Sequence, residues 1–257
     1  MGQRSQIYVR FNQAESPEKK YLVARYFSWN FGERMVSRAR YTMDWLEEMK
    51  SHLSGDNIEK LKRIIDTNFD YQDVVLSVDI LKEYIEGYYD DFSDVFCFQA
   101  NNDGQLLIDV TDDGIKYAFV SYLGESTEPM NPRQYMIWNH KGCKCDDWEK
   151  STYIDNEQKK LCNENIVHIV QSYKLMTQEE VEEFKSYDGY VSDMELDKEK
   201  QKYERPAVLI QNLVEMVRAS GSYIYNEEFK KALQDGAGIT DYELSEYGIY
   251  GEEVDND

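Results

Sequence analysis

GQRSQIYVRFNQAESPEKKYLVARYFSWNFGERMVSRAR, residues 2–40, carries the change of hydrophobic period on which the fold turns. Ile7, Val9 and Phe11 alternate with Tyr8 and Arg10, the period of a half-buried strand. Residues 21–29 repeat the pattern, with Tyr21, Val23, Phe27 and Trp29 on one face and Arg25 interrupting it. Together the two segments predict an antiparallel hairpin. A competing reading takes Ser16 as N-cap and Pro17 as first helical residue, and runs one helix through Leu22, Val23, Tyr26, Phe27, Phe31, Met35, Ala39, Met43 and Leu46. The break at Asn30, Phe31 and Gly32 favours the hairpin.

Beyond that break the period is helical. Met35, Val36, Ala39, Met43, Leu46 and Met49 form one stripe over residues 33–53, with Gly55 as the stop. Further helices are expected at residues 57–66 and, on Val75, Val78, Ile80, Leu81 and Ile85, at 74–88. Residues 95–99, 106–110 and 117–122 read as strands of an antiparallel meander, turned at Asn102-Asp103-Gly104 and Asp112-Asp113-Gly114. The two turns imitate calcium loops, but an EF-hand needs Glu at its twelfth position, where Val110 and Val120 stand. Residues 130–162 are loop-rich with a short helix at 132–138, and 166–173 alternate as another strand. Thr177 and Glu180 form a capping box for a short acidic helix. A polar connector, two helices at 206–219 and 226–233, and an acidic tail complete the chain. The expected class is α+β: an N-terminal hairpin and helices, a central antiparallel meander, and C-terminal helices. The expected organisation is a domain over residues 1–187, an acidic connector over 188–204 and a helical region over 205–257.

The formal charge is −21 over 257 residues, with 50 Asp and Glu against 29 Lys and Arg. A charge of that sign argues against direct binding to nucleic acid or to an anionic membrane, because both carry phosphate. It is unevenly spread: residues 1–63 hold 12 basic and 8 acidic side chains, whereas residues 64–257 hold 17 and 42. With 14 Gly and 4 Pro, breakers are few, and 41% hydrophobic and 14% aromatic content is enough for a core. Cys97, Cys143, Cys145 and Cys162 are too few and too irregular for a disulfide framework, so a reducing compartment is expected. No apolar segment reads as a signal peptide or a membrane span, which makes the cytoplasm the expected location.

Four constellations are candidates for chemistry. His140, Cys143, Cys145, Cys162 and His168 offer zinc-type ligands, but a CxC pair lacks the spacing of structural zinc sites and ordinary loop cysteines are the simpler reading. No nucleophile elbow or phosphate loop is present, and His52 suits the C-terminal dipole of a helix, so no catalytic residue and no cofactor are assigned. Arg4, Arg25, Arg34 and Arg38, with Trp29, could hold a nucleotide or another small ligand by guanidinium contacts and stacking. The same arginines could instead pair with the acidic remainder of the chain. Finally, Asp188, Asp193, Glu195, Asp197, Glu243, Glu246, Tyr247 and Tyr250 place carboxylates among tyrosines. Such a face imitates a nucleic-acid backbone and would suit a basic nucleic-acid-binding enzyme as partner.

The opening MGQRSQIYVR, followed by YLVARYFSWNFGERMVSRAR, resembles proteins encoded by phages and prophages of Gram-positive bacteria. The resemblance rests on Gly2, Arg4, Ala24, Tyr26, Trp29 and Asn30, with Phe31 interposed before Gly32. It covers about 40 residues and carries no activity of its own. It implies a phage accessory protein acting in the cytoplasm of an infected host, a setting that includes anti-CRISPR and other anti-defence inhibitors.

Overall fold

The computed structural model describes residues 3–13, 16–71, 76–83, 95–96, 103–121, 128–140, 148–150, 154–187 and 190–191. The chain divides into two compact units, Met1–Leu196 and Asp197–Asp257, and every described residue belongs to the first. That unit is built on one mixed sheet. Strands β1 (Arg4–Gln13) and β2 (Ser16–Ser28) form the expected hairpin, with Val9 opposite Val23 and Phe11 opposite Tyr21. After helices α1 (Glu33–Met49) and α2 (Ile58–Asp66), β3 (Ser77–Asp79) returns to the outer edge of β2 and leads into α3 (Ile80–Glu83). Strand β4 (Gln105–Thr111) lies parallel to β1, and β5 (Gly114–Val120) folds back on it through Asp112-Asp113-Gly114. Helices α4 (Pro132–Asn139), α5 (Asn156–Ser172) and α6 (Gln178–Ser186) follow, with short strands β6 (Lys174–Leu175) and β7 (Tyr190–Val191) beside β5 and β2. The sheet order is β3-β2-β1-β4-β5-β6, with β7 also on β2. The class is α+β.

Both faces of this sheet are buried. Ile7, Val9, Phe11, Val23, Phe27, Ile108 and Tyr117 meet the apolar stripes of α1, α2, α4 and α5 on one side. Tyr8, Leu22, Ala24, Tyr26, Leu107 and Ala118 meet Ile80, Leu81, Phe96, Val181 and Phe184 on the other. The half-buried strand expected from alternation is therefore corrected, because the residues between the aliphatic ones are Tyr and Arg, whose polar ends are satisfied internally. The Tyr8 hydroxyl donates to the Val95 carbonyl at 2.7 Å. Arg10, 3% exposed, donates through Nε and Nη2 to both Asp109 oxygens at 2.8 and 2.7 Å, and Nη2 also pairs with Glu183 at 2.7 Å under the ring of Phe184. In the parallel register Arg10 faces Asp109 directly, so the bond follows from the strand alignment.

Several elements depart from the expectation. Residues 74–88 do not form one helix: 72–75 and 84–88 lie outside the described residues, and between them β3 leads into the short α3. Asp79 ends the strand, where its carboxylate pairs with Lys62 at 2.8 Å. Val95 and Phe96 form a helical turn, so the first leg of the expected meander is not a strand there, while β4 and β5 are the expected antiparallel pair. Gly55 opens a helical turn into α2 instead of closing α1. The expected strand at 166–173 is the C-terminal part of α5, nucleated by an Asp155–Gln158 capping box and buried at Cys162, Asn165, Ile166 and Ile169. Helix α4 and the Thr177–Glu180 box of α6 stand as expected. The C-terminal helices and tail lie outside the described residues.

Removing the Arg10 side chain strands Asp109 in the interior. Arg10→Ala should lower the unfolding free energy by about 3–5 kcal/mol, and Arg10→Met with Asp109→Leu should recover most of the loss. Urea denaturation followed by circular dichroism measures both.

Candidate functional site

Of the N-terminal arginines, Arg10, Arg25 and Arg38 are buried and hold secondary-structure elements together, while Arg4, Arg34 and Arg40 are half-buried. Besides Arg10, Arg25 donates through Nε and Nη2 to Asp66 at the end of α2, at 3.0 and 2.5 Å, with Ser77 at 2.9 Å and Asp79 at 3.6 Å on β3. Arg38 is 2% exposed and lies over the ring of Phe27. It donates to the carbonyls of Ile65 and Thr67, to Asn68, and to Asn30 at 3.1 Å, which uses four of its five N–H groups and caps the C-terminus of α2. Burial lowers its pKa to about 10. For Arg10 the hydrogen bonds to Asp109 and Glu183 outweigh the burial that opposes them, so its pKa rises.

What remains accessible of the predicted ligand unit is the corner where β2 ends and α1 begins. The chain turns there with two residues in the left-handed region, Trp29 at φ 67° and Gly32 at φ 52°. Gly32 is required: a Cβ would sit 3.3 Å from both Asn139 Oδ1 and His140 Nε2. Asn30, fully buried, donates to Ser5 at 2.9 Å and accepts from Arg38. Trp29 is held by its N–H, which donates to the Gln3 carbonyl at 2.6 Å, while its own carbonyl accepts from Arg34 at 3.4 Å. Trp29 is 53% exposed. Arg34 lies 5.4 Å from the centres of both the Phe31 and Tyr71 rings. Arg4 contributes its backbone N–H, which donates to Asp103 at 2.6 Å.

Behind this corner lies a buried polar cluster. Tyr135 accepts from the Gly32 N–H at 3.2 Å and donates to the Asp103 carbonyl at 2.9 Å, and Asn139 donates to the Asp103 carboxylate at 3.0 Å. Burial pushes Asp103 up to about 6. Burial also raises Glu33 and lowers His140. The Cys162 thiol is pushed well up by burial and by the nearby Glu33, so it is not a reactive thiolate.

A second polar seam runs between α1 and α5. His168 Nε2 and the Tyr173 hydroxyl both meet Asp44 Oδ1 at 2.6 Å, and Arg40 donates to Asn165 at 2.6 Å. Asn165 donates in turn to Asp70 at 3.1 Å, which also binds Ser37 and Tyr41. Open grooves of about 540 and 500 Å³ flank His168. Ser172, one turn beyond His168 on α5, lines the second of these grooves together with His168 and Asp44. The alternation of residues 166–173 concealed this seam, because it places His168 on a strand; the Asp155 capping box was the signal that puts it on a helix.

Of the metal candidates, His140 lies against Gly32, His168 bonds Asp44, Cys162 is buried on α5, and Cys143 and Cys145 lie outside the described residues. Among the described residues no three His, Cys, Asp or Glu side chains are placed to share a metal ion, and no helix is long and apolar enough to cross a membrane. The predicted acidic face, Asp188, Asp193, Glu195, Asp197, Glu243, Glu246, Tyr247 and Tyr250, also lies outside the described residues. No family model, curated protein or solved structure matches the chain.

Asp103 sets a pH dependence. Its folded pKa of about 6 lies above the unfolded carboxylate value, so its contribution to stability is full below about pH 4 and is lost as pH rises through 6. Glu33 acts in the same direction. Denaturant titrations from pH 4 to 7.5 should show stability falling by on the order of 2–3 kcal/mol through Asp103. Asp103→Asn should flatten that slope.

Proposed function

We propose that this chain is a non-enzymatic protein that binds a basic host or phage protein stoichiometrically through an acidic surface. In the setting implied by its N-terminus, that makes it an inhibitor of host defence of the anti-CRISPR kind. The observation that carries the reading is the internal use of the arginines. Arg10, Arg25 and Arg38 are committed to Asp109, Glu183, Asp66, Asp79 and the end of α2. Meanwhile Glu47, Glu48, Asp56, Glu59, Asp112, Asp113, Glu157, Glu164, Glu179 and Glu182 face solvent. A net charge of −21 with its basic residues partly turned inward favours fast, salt-sensitive association with a cationic groove and disfavours nucleic acid. The small-ligand alternative loses support from the same geometry, because Arg25 and Arg38 have most of their donors engaged inside the fold.

The test is a titration against purified basic nucleic-acid enzymes of a Gram-positive host, CRISPR effectors first, at about 50 and 500 mM salt. The reading predicts a one-to-one complex whose dissociation constant rises at least tenfold with salt and which excludes the enzyme's nucleic acid. Failure of any salt-sensitive complex to form across the panel would count decisively against it.

A further inference from the structure

Arg40 is held in place by the fold without being fully used by it. Arg10 and Arg25 each close Nε and Nη2 on one carboxylate, Asp109 and Asp66 respectively. Arg40 makes no such grip. Its Nη1 donates to Asn165 at 2.6 Å, and Asn165 is fully buried and bonded in turn to Asp70. The guanidinium lies 5.1 Å from the centre of the Tyr41 ring, so it is positioned from two sides. Its Nε–H is enclosed and meets no acceptor, because Asp44 Oδ2 comes only to 3.6 Å, an ion-pair contact without a hydrogen bond. The two-bond grip that suits a carboxylate or phosphate is therefore unmade.

This side chain forms one wall of the groove of about 540 Å³, and one face of α5 forms the other. Lys160, Asn163 and Gln171 bring donors to it, and Val167, 47% exposed, brings an apolar surface. Glu164 is the one carboxylate among the lining residues. It stands 3.9 Å from Lys160, and both side chains are exposed, so this pair holds Lys160 weakly. On the other side of His168 the charge reverses: the second groove sets Asp44, Glu47, Glu48 and Asp113 against Lys50 and Lys174. An anion is thus repelled from the second groove and accepted in the first. We propose that the groove between Arg40 and α5 binds an oxyanion, the phosphate or carboxylate group of a small molecule, with Arg40 and Lys160 on its oxygens and Val167 against its body. A groove of this volume takes a molecule of metabolite size. The site is independent of the acidic-binder reading and uses neither Arg25 nor Arg38, whose donors are engaged inside the fold.

The full chain is titrated at about 150 mM salt, where loose surface attraction is screened, with adenosine monophosphate, with succinate and with adenosine, which lacks the charged group. The Arg40 Nε–H and the backbone amides of residues 160–171 are followed by NMR. At least one of the two anions should shift these signals saturably, with half-saturation at about 1 mM, and adenosine should not. The anion that saturates identifies the source, phosphate or carboxylate. Arg40→Gln should weaken binding about tenfold and Lys160→Gln about threefold. If Arg40→Gln melts more than about 5 °C below wild type, Lys160→Gln, a change at an exposed position, carries the decision. No saturable shift with either anion overturns the site, and so does equal binding of adenosine or undiminished binding by the deciding variant. None of these outcomes bears on a complex with a basic protein.

Discussion

Strand β1 is covered on both sides, and a strand so placed must satisfy each of its polar side chains from within the protein. Ile7, Val9 and Phe11, the β1 residues that meet α1, need nothing but packing. On the α6 side stand Gln6, Tyr8 and Arg10, and the rest of the fold supplies their partners: Gln105 and Asp109 from β4, the Val95 carbonyl, and Glu183 from α6. Three elements distant in sequence are thereby tied to one strand. An uncompensated charge there would cost several kcal/mol, so the parallel pairing of β1 with β4 and the docking of α6 are specified together.

The same logic distributes charge. Basic residues concentrated in the first quarter of the chain pair with carboxylates from later segments, and the pairs lie at element junctions: β1 with β4 and α6, β2 with α2 and β3. Arg38 carries no such partner at hydrogen-bond distance and instead closes the exposed carbonyls at the end of α2, which fits its lowered pKa. Among the described residues, Glu47, Glu48, Asp56, Glu59, Asp112 and Asp113 are left to solvent, whereas Glu33 and Asp103 are buried.

Much of this was legible in residues 2–66, where the period changes cleanly from two to 3.6 and Asn30, Phe31 and Gly32 mark the break. The DG turn gave the β4–β5 hairpin, and Thr177 with Glu180 gave α6. The failures have physical causes. Ile166, Val167, Ile169 and Val170 are β-branched and read as a strand, but a capped 17-residue helix with its buried stripe at 3.6 spacing overrides that local preference. Val78, Ile80 and Leu81 support a helix by spacing, yet the open edge of β2 takes residues 77–79 as a strand. The parallel alignment of β1 and β4 is a long-range contact with no local signature. The candidate corner was half legible: Trp29 and Arg34 were identified by type, but the left-handed turn at Trp29, whose N–H donates to the Gln3 carbonyl, is something no periodicity reveals.

The central claim is that Arg10, Arg25 and Arg38 are structural ties whose donors are spent inside the fold. Side-chain NMR of the arginine Nε–H groups, with and without nucleotide at millimolar concentration, tests it most directly. The account predicts that Arg10, Arg25 and Arg38 give sharp, slowly exchanging Nε–H signals that nucleotide does not move. Rapid exchange at these three positions, or shifts of their signals on nucleotide addition, would contradict it.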